Sequence, residues 1–211
     1  MGDVMRVIAA SDIVAQATRP LELGQTVDLA GLAIEGPLDL SGMRFGNVDF
    51  SGTHFAGPVL CAGASFLGLA WFKGCSFAAG LDFSRSAFHS DLRFDGALVD
   101  GATVFPRAEF RGVADFDRAR FRGPADFGRA TAFGNMSFDS AVFEAPVTFQ
   151  DSEFLGGLWC DNARFQSRAD FRGVEVHGRT WVKRASLGRK DGDDARQSLV
   201  KDIRSFGLRW L

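Results

Sequence analysis

The 211-residue sequence has no tyrosine and only four tryptophans, whereas it has 22 phenylalanines. A globular chain normally mixes its aromatic residues, so this bias indicates one structural role that is repeated many times. The 25 glycines are typical of a chain that turns often. The length is sufficient for one domain of ordinary size with a sizeable core.

Cysteine and histidine are also scarce. The three cysteines are odd in number and have no CxxC spacing, which predicts buried structural thiols in a reducing compartment. The histidines are dispersed, and no pair has the spacing of metal ligands. No serine or cysteine lies in a nucleophile motif, and no glycine-rich phosphate loop is present. We therefore expect a protein that is not an enzyme and has no catalytic residue, metal or cofactor. The cysteines are Cys61, Cys75 and Cys160, and the histidines are His54, His89 and His177.

The sequence lacks a strong charge of either sign and a long apolar run. The formal net charge of −2 argues neither for a general polyanion binder nor for a strongly acidic protein, and direct nucleic-acid binding is not expected. No apolar run approaches the roughly 20 residues of a membrane span. The early apolar stretch Val7-Ile8-Ala9-Ala10 is soon broken by Asp12, which makes a poor signal peptide. These features predict a soluble, cytoplasmic protein without a membrane partner.

What the sequence does contain is a phenylalanine repeat. One series returns at intervals of eleven residues or a multiple of eleven, and a second series lies half a repeat away. Taken together, the two series give a period of five to six residues. This period fits neither the 3.6 residues per turn of a helix nor the two-residue repeat of a long strand. It suits a chain that turns a corner every five or six residues. The first series is Phe72, Phe83, Phe94, Phe105, Phe116, Phe127, Phe138, Phe149 and Phe171, and the second is Phe66, Phe77, Phe88, Phe110, Phe121, Phe143, Phe154 and Phe165.

The segments around these phenylalanines resemble the pentapeptide repeat family, whose motif is Ala-(Asp/Asn)-(Leu/Phe)-x-x. Matching segments include Leu81-Asp82-Phe83-Ser84-Arg85, Ala114-Asp115-Phe116-Asp117-Arg118 and Ala169-Asp170-Phe171-Arg172-Gly173. The resemblance covers roughly residues 25 to 187 and implies an all-β fold, a right-handed quadrilateral parallel β-helix. Two pentapeptides of the family motif span ten residues, whereas in this chain the spacing between central residues alternates between five and six and gives eleven. We therefore expect about 22 residues per coil, with a turn residue or small bulge added twice per coil.

A 22-residue coil stacks the inward phenylalanines in columns, because parallel coils lie about 4.8 Å apart. Phe133 falls where Ala132 is expected, which predicts a local bulge. The two predicted core columns are Phe72, Phe94, Phe116 and Phe138, and Phe83, Phe105, Phe127 and Phe149.

The ends of the chain lie outside the repeat. We expect an N-terminal cap over residues 1–20, with Val4, Val7, Ile8 and Val14 on one side of a short helix, a β-helix over 21–187, and a C-terminal helix within 188–211. Gly207 suits the C-terminal cap of that helix. The spacing of its apolar residues predicts a single stripe. Two interpretations remain open: the stripe covers the last coil, or it also forms a two-fold dimer contact, as in several members of the resembled family. The stripe consists of Leu199, Ile203, Phe206 and Trp210.

The same register predicts two charged columns on opposite sides of the coil. Stacked carboxylates repel and need compensation. Each aspartate could accept a backbone N–H at its corner, in an Asx-type turn, or the columns could form an interaction surface. The acidic column is Asp95, Asp117, Asp139 and Asp161, and the arginine column is Arg85, Arg107 and Arg129.

The sequence favours two alternative functions. The first is a rigid, non-enzymatic scaffold that presents charged faces to an unidentified protein partner. The second is implied by the resemblance: some family members are rod-shaped dimers that mimic DNA, bind DNA gyrase or topoisomerase IV, and protect it from quinolones or gyrase poisons. The low net charge and the arginine column fit this second function poorly.

Overall fold

The computed structural model describes residues 5–17, 24–188 and 192–210. Short parallel strands follow one another around a four-sided coil and build four sheets of nine, nine, seven and eight strands. Residues 22 apart are paired on neighbouring coils, for example Ala70 with Leu92 and Leu92 with Ala114. The predicted β-helix with 22 residues per coil is therefore confirmed.

We number the faces in the order in which the chain visits them from β2 onward. Face 1 contains β2 (Thr26–Asp28), β6 (Asn47–Asp49), β10 (Ala70–Trp71), β14 (Leu92–Arg93), β18 (Ala114–Asp115), β22 (Asn135–Ser137), β26 (Gly157–Trp159), β30 (Arg179–Trp181) and β33 (Arg209–Trp210). Face 2 contains β1 (Arg6–Ala9), β3 (Leu32–Glu35), β7 (His54–Phe55), β11 (Ser76–Phe77), β15 (Leu98–Val99), β19 (Arg120–Phe121), β23 (Val142–Phe143), β27 (Arg164–Phe165) and β31 (Ser186–Leu187). Face 3 contains β4 (Leu38–Asp39), β8 (Val59–Leu60), β12 (Leu81–Asp82), β16 (Thr103–Val104), β20 (Ala125–Asp126), β24 (Val147–Thr148) and β28 (Ala169–Asp170). Face 4 contains β5 (Arg44–Phe45), β9 (Ser65–Phe66), β13 (Ala87–Phe88), β17 (Glu109–Phe110), β21 (Thr131–Ala132), β25 (Glu153–Phe154), β29 (Val174–Val176) and β32 (Ile203–Ser205).

The extra residue of each eleven-residue unit is a turn residue in the left-handed conformation. It lies two residues after a central inward residue, at the corners between faces 1 and 2 and between faces 3 and 4. Glycine adopts this conformation without strain, and other residues adopt it at a cost. Two such positions lie on every coil, as the five-plus-six spacing predicts. From residue 52 onward they are Gly52, Gly63, Gly74, Arg85, Gly96, Arg107, Arg118, Arg129, Ser140, Asp151, Asn162, Gly173 and Arg184.

Stacked phenylalanine rings fill the interior. Along the column from Phe83 to Phe149, successive ring centroids lie 5.0, 5.2 and 5.2 Å apart and the ring planes differ by at most 10°. In the other column Phe94 is tilted by 47° against Phe116. The two columns meet edge to face, with Phe105 and Phe116 at 5.5 Å and 87°. These are the offset and T-shaped geometries that aromatic quadrupoles favour.

The expected bulge at Phe133 is wrong. Ala132 pairs with Phe110 on one side and Phe154 on the other, so the register continues without interruption. The small alanine occupies the inward position, and the Phe133 ring lies outside, 49% exposed.

The expected helical face near the N-terminus is also wrong in part. Val7 and Ile8 belong to β1, which pairs with β3 and adds the first described strand to face 2. β-branched residues favour this extended pairing over a helix. The helix α1 (Ala10–Ala17) follows and packs against β1 and β4, with Ile13 fully buried. Val4 lies outside the described residues.

The C-terminal helix is shorter than expected. Helix α2 (Gly192–Val200) buries Ala195, Leu199 and Val200 and packs against β31 and β32. The chain then returns to the solenoid, because Ile203–Ser205 pairs with Val174–Val176 and Arg209–Trp210 pairs with Thr180–Trp181. Strand hydrogen bonds and the burial of Ile203 outweigh helix continuation here.

Candidate interaction surfaces

The acidic column lies at the corner between faces 1 and 2, one residue from each coil. Backbone hydrogen bonds join successive coils at this corner: Gly96 N–H donates to the Asp117 carbonyl, Arg118 N–H to Asp139 and Ser140 N–H to Asp161, each at 2.8 Å. The four aspartates are therefore fixed one above another by the ladder of the solenoid itself.

Cations from the same corner compensate the two outer members. Asp95, which is largely buried, faces the ammonium of Lys73 at 3.9 Å and the guanidinium of Arg118 at 3.4 Å. Asp161 accepts a hydrogen bond from Arg184 Nη2 at 2.5 Å. Both arginines occupy left-handed turn positions on this corner. The acidic column is thus interleaved with positive charge rather than presented as an unbroken negative strip.

Asp117 is held differently, through neutral donors. Its Oδ1 accepts the Ser137 hydroxyl at 2.5 Å and the backbone N–H of Asp139 at 2.9 Å. Partial burial raises the pKa of the Asp117 carboxyl above its ordinary value, and the neighbouring charges of Asp115 and Asp139 act in the same direction.

The Asx-type turn role belongs to a different set of aspartates. These residues end the strands just before a central residue, and each accepts the N–H two residues later; in Asp115 the acceptor Oδ1 lies 3.0 Å from Asp117 N. In the acidic column, only Asp117 accepts a backbone N–H among the described hydrogen bonds, and the donor is one coil away. The turn-forming residues are Asp28, Asp39, Asp49, Asp82, Asp115, Asp126 and Asp170.

The arginine column lies at the diagonally opposite corner, between faces 3 and 4. All three residues are exposed and left-handed, with φ of 57°, 58° and 58° for Arg85, Arg107 and Arg129. The guanidinium of Arg129 faces Asp151 at 3.9 Å. Within the described residues, Arg85 and Arg107 form no ion pair. This corner therefore keeps free, solvent-facing positive charge.

The four residues of the expected dimer stripe do not share one helical face. Leu199 lies in α2 and Ile203 in β32, and both are buried within the chain. Phe206 and Trp210 lie on the last described coil and are 53% and 47% exposed. With Leu208, which is 63% exposed, they form what we call the terminal apolar patch.

Trp210 ends a ladder of indole rings on face 1. The Trp159 and Trp181 centroids are 5.8 Å apart, and those of Trp181 and Trp210 are 5.2 Å apart with the planes at 19°. The sequence carries a signal for this coil in a recurring Gly-x-x-Trp: Gly156 to Trp159, Gly178 to Trp181 and Gly207 to Trp210. Gly207 is thus a corner residue and not a helix cap. A Cβ there would lie 2.0 Å from the Gly178 carbonyl oxygen, so only glycine fits.

A second feature that sequence spacing missed is a group of ligand-type side chains on face 4. Glu153, Glu175 and His177 bring one carboxylate or imidazole atom each to within 4.8 Å of the others. The 22-residue register stacks the two glutamates, and His177 follows two residues later. The other histidines contact serines on the neighbouring coil: His54 Nδ1 lies 2.7 Å from Ser76 Oγ, and His89 lies 3.2 Å from Ser65 Oγ.

The three cysteines are free thiols in the core. Burial raises the pKa of Cys75 to about 12 and raises the pKa of Cys61 and Cys160 further. They are far from the thiolate state that nucleophiles and metal ligands require.

Comparisons with known proteins complete the description. Neither helix among the described residues is long and apolar enough to cross a membrane. No curated protein matches the sequence. The family described as "Pentapeptide repeats" matches with nine copies, over residues 62–108 and 131–175. The match, together with the four-faced solenoid of 22 residues per coil, confirms that the chain contains pentapeptide repeats.

Proposed function

We propose that this solenoid is a non-enzymatic, cytoplasmic scaffold that forms a homodimer and binds an acidic protein partner along its arginine column. The observation that carries the proposal is the terminal apolar patch. The phenylalanine columns are already buried, so Phe206, Leu208 and Trp210 are not required to fill the core of one chain. Large apolar side chains exposed together on one coil are typical of an interface.

The partner that best covers this patch is a second copy of the chain. Helix α2 packs over β31 on face 2, whereas β32 and β33 are the last described strands of faces 4 and 1 and have one unpaired edge each. Unpaired edges and apolar ends of solenoids need protection. A two-fold contact buries the patch and both edges at once.

Light scattering tests the dimer. The protein is expected to have twice the mass of one chain, 22.9 kDa, and the double variant Phe206→Asp/Trp210→Asp should have the mass of one. Phe133→Asp is the matched control, because Phe133 is similarly exposed but lies two coils before His177, the neighbour of Phe206. A wild-type monomer at high concentration would overturn the dimer.

The arginine column supports an acidic partner, because its guanidinium groups are exposed and two of them are unpaired within the described chain. Guanidinium groups in a row suit carboxylates, to which each can form two hydrogen bonds. A photoreactive residue at position 84 in cells should capture a partner, and Arg85→Glu with Arg107→Glu should abolish the capture. Equal capture by the charge-reversed protein would contradict this surface.

The alternative function, DNA mimicry that protects a topoisomerase, needs a negative surface that resembles a phosphate strand. Arg118 and Arg184 pair with Asp95 and Asp161 on the acidic column, which weakens that likeness. Inhibition of gyrase supercoiling, and rescue of gyrase from a quinolone, test it directly. An effect at stoichiometric protein that disappears in Asp117→Lys/Asp139→Lys would favour this alternative over the scaffold. If a micromolar excess of the protein has no effect on gyrase in either assay, the DNA-mimicry function is excluded.

A further inference from the structure

We propose that Glu153, Glu175 and His177 form a binding site for a divalent transition-metal ion such as Zn²⁺, on face 4 beside the terminal apolar patch. The site is assembled by the stacking of coils. Glu153 in β25 and Glu175 in β29 are direct register partners on neighbouring coils. Like charges held opposite each other on paired strands are destabilising, so a cation that contacts both carboxylates would relieve their repulsion.

The distances fit one metal ion. His177 Nε2 lies 3.1 Å from Glu153 Oε1 and 3.9 Å from Glu175 Oε2. Two ligands of a tetrahedral zinc ion, with bonds of about 2.1 Å, are separated by about 3.4 Å. The two separations from His177 bracket that value, and all three ligand atoms lie within 4.8 Å of one another, so side-chain movement can close three ligands around one ion. His177 is exposed, which leaves the fourth position open to water.

Neighbouring side chains already orient two of the three ligands. Arg204 Nη1 holds the other oxygen of Glu175, Oε1, at 3.1 Å, so that Oε2 is directed toward His177. The Phe206 ring stacks on the His177 imidazole with centroids 4.7 Å apart and planes at 15°. Outer contacts of this kind fix ligand orientation and add to metal affinity. An imidazole with two carboxylates selects Zn²⁺ and its transition-metal neighbours over Mg²⁺, which prefers oxygen ligands only.

The position of the site suggests what the ion does. Glu153, Glu175 and Arg204 come from three successive strands of face 4, and Phe206 belongs to the terminal apolar patch. A bound ion would therefore join the last coils of the described chain and stiffen the surface on which the patch is presented.

The test uses the full-length, untagged protein, stripped of metal with a chelator and titrated calorimetrically with ZnCl₂. We expect one zinc per chain, at least tenfold weaker binding in Glu153→Gln and in His177→Ala, and a zinc-dependent rise in melting temperature that both variants lose. Circular dichroism establishes that the variants are folded, and Glu153→Gln keeps the shape of the side chain it replaces.

His89→Ala is the matched control. His89 occupies the same corner four coils earlier, but its neighbours there are Ser65 and Ala87 instead of glutamates. Its loss should leave zinc binding unchanged. The absence of a one-to-one site, equal weakening in His89→Ala, or unchanged binding in both site variants would each overturn the proposal, as would competition by equimolar Mg²⁺.

Discussion

Phe116 and Phe138 are 22 residues apart in sequence, yet their rings stack with centroids 5.0 Å apart and planes at 14°. This relationship shows how the eleven-residue period becomes a fold. Two units make one coil, so each phenylalanine meets its equivalent on the next coil. Because each coil contacts only its neighbours, the stability of the solenoid is a sum of such local contacts.

Replacement of Phe116 by alanine should therefore remove a central contact of the core. Phe116 is fully buried and also meets Phe105 and Phe127 edge to face. We expect a loss of about 3–5 kcal/mol in the free energy of unfolding, measured by urea denaturation. Phe133→Ala, at an exposed phenylalanine, should cost less than about 1 kcal/mol. Similar losses in the two variants would contradict the assignment of inward and outward positions.

The left-handed corners make a separate prediction. Gly96 has φ of +68°, and no atom lies within 4 Å of the point that a Cβ would occupy, so an alanine there has room but a strained backbone. Gly96→Ala should destabilise by about 1–2 kcal/mol. Arg107 is a non-glycine residue that already adopts the left-handed conformation at an equivalent corner position. Arg107→Ala should therefore leave the free energy of unfolding nearly unchanged. A neutral Gly96→Ala in the same urea experiment would show that the corner does not require this conformation.

The raised pKa of Asp117 predicts that the stability of the fold depends on pH. Burial raises the pKa of its carboxyl in the folded state, so the folded chain holds the proton more tightly than the unfolded chain. The ionised carboxylate therefore lowers stability at neutral pH; this cost begins to fall as the pH drops below the folded-state pKa and is gone below the unfolded-state pKa. Asp117→Asn keeps an oxygen acceptor for Ser137 and Asp139. It should melt at a higher temperature than the wild type at pH 7, and the difference should vanish in acid.

The control for this experiment is Asp115→Asn. Asp115 forms an ion pair with Arg93 at 2.8 Å, so its neutralisation removes an attraction and should give no stabilisation at pH 7. If Asp117→Asn melts at or below the wild-type temperature at pH 7, the burial argument for Asp117 fails.

The sequence was sufficient for the architecture because the repeat is encoded many times. The eleven-residue period predicts the coil length, the two added turn residues per coil and the opposite placement of Asp117 and Arg129, and the resemblance to the pentapeptide repeat family implies the four faces. Local departures from the repeat are harder to predict from the sequence. The phenylalanine-rich pattern favours an inward ring at Phe133 and hence a bulge, whereas Ala132 fits the inward position and keeps the register.

The end of the chain could not be predicted from helical periodicity. Leu199, Ile203, Phe206 and Trp210 have helical spacing, but pairing with β29 and β30 turns the last three back into the solenoid. The Gly-x-x-Trp recurrence at Gly178 and Gly207 carries this information, and an inserted helix hides it by breaking the 22-residue step. The ion pairs of Asp95 and Asp161 with arginines one coil further on depend on side-chain direction, which spacing alone does not determine.

Cysteine-specific cross-linking is the most direct test of a homodimer through the terminal apolar patch. The native thiols are buried, and burial raises the pKa of Cys75 to about 12, so a bis-maleimide should leave the wild type uncross-linked. Leu208→Cys places a thiol in the patch, and Ser41→Cys places an exposed thiol on an early coil. We predict a covalent dimer for Leu208→Cys and none for Ser41→Cys. A Leu208→Cys protein that remains a single chain, or equal cross-linking of both variants, would contradict the dimer.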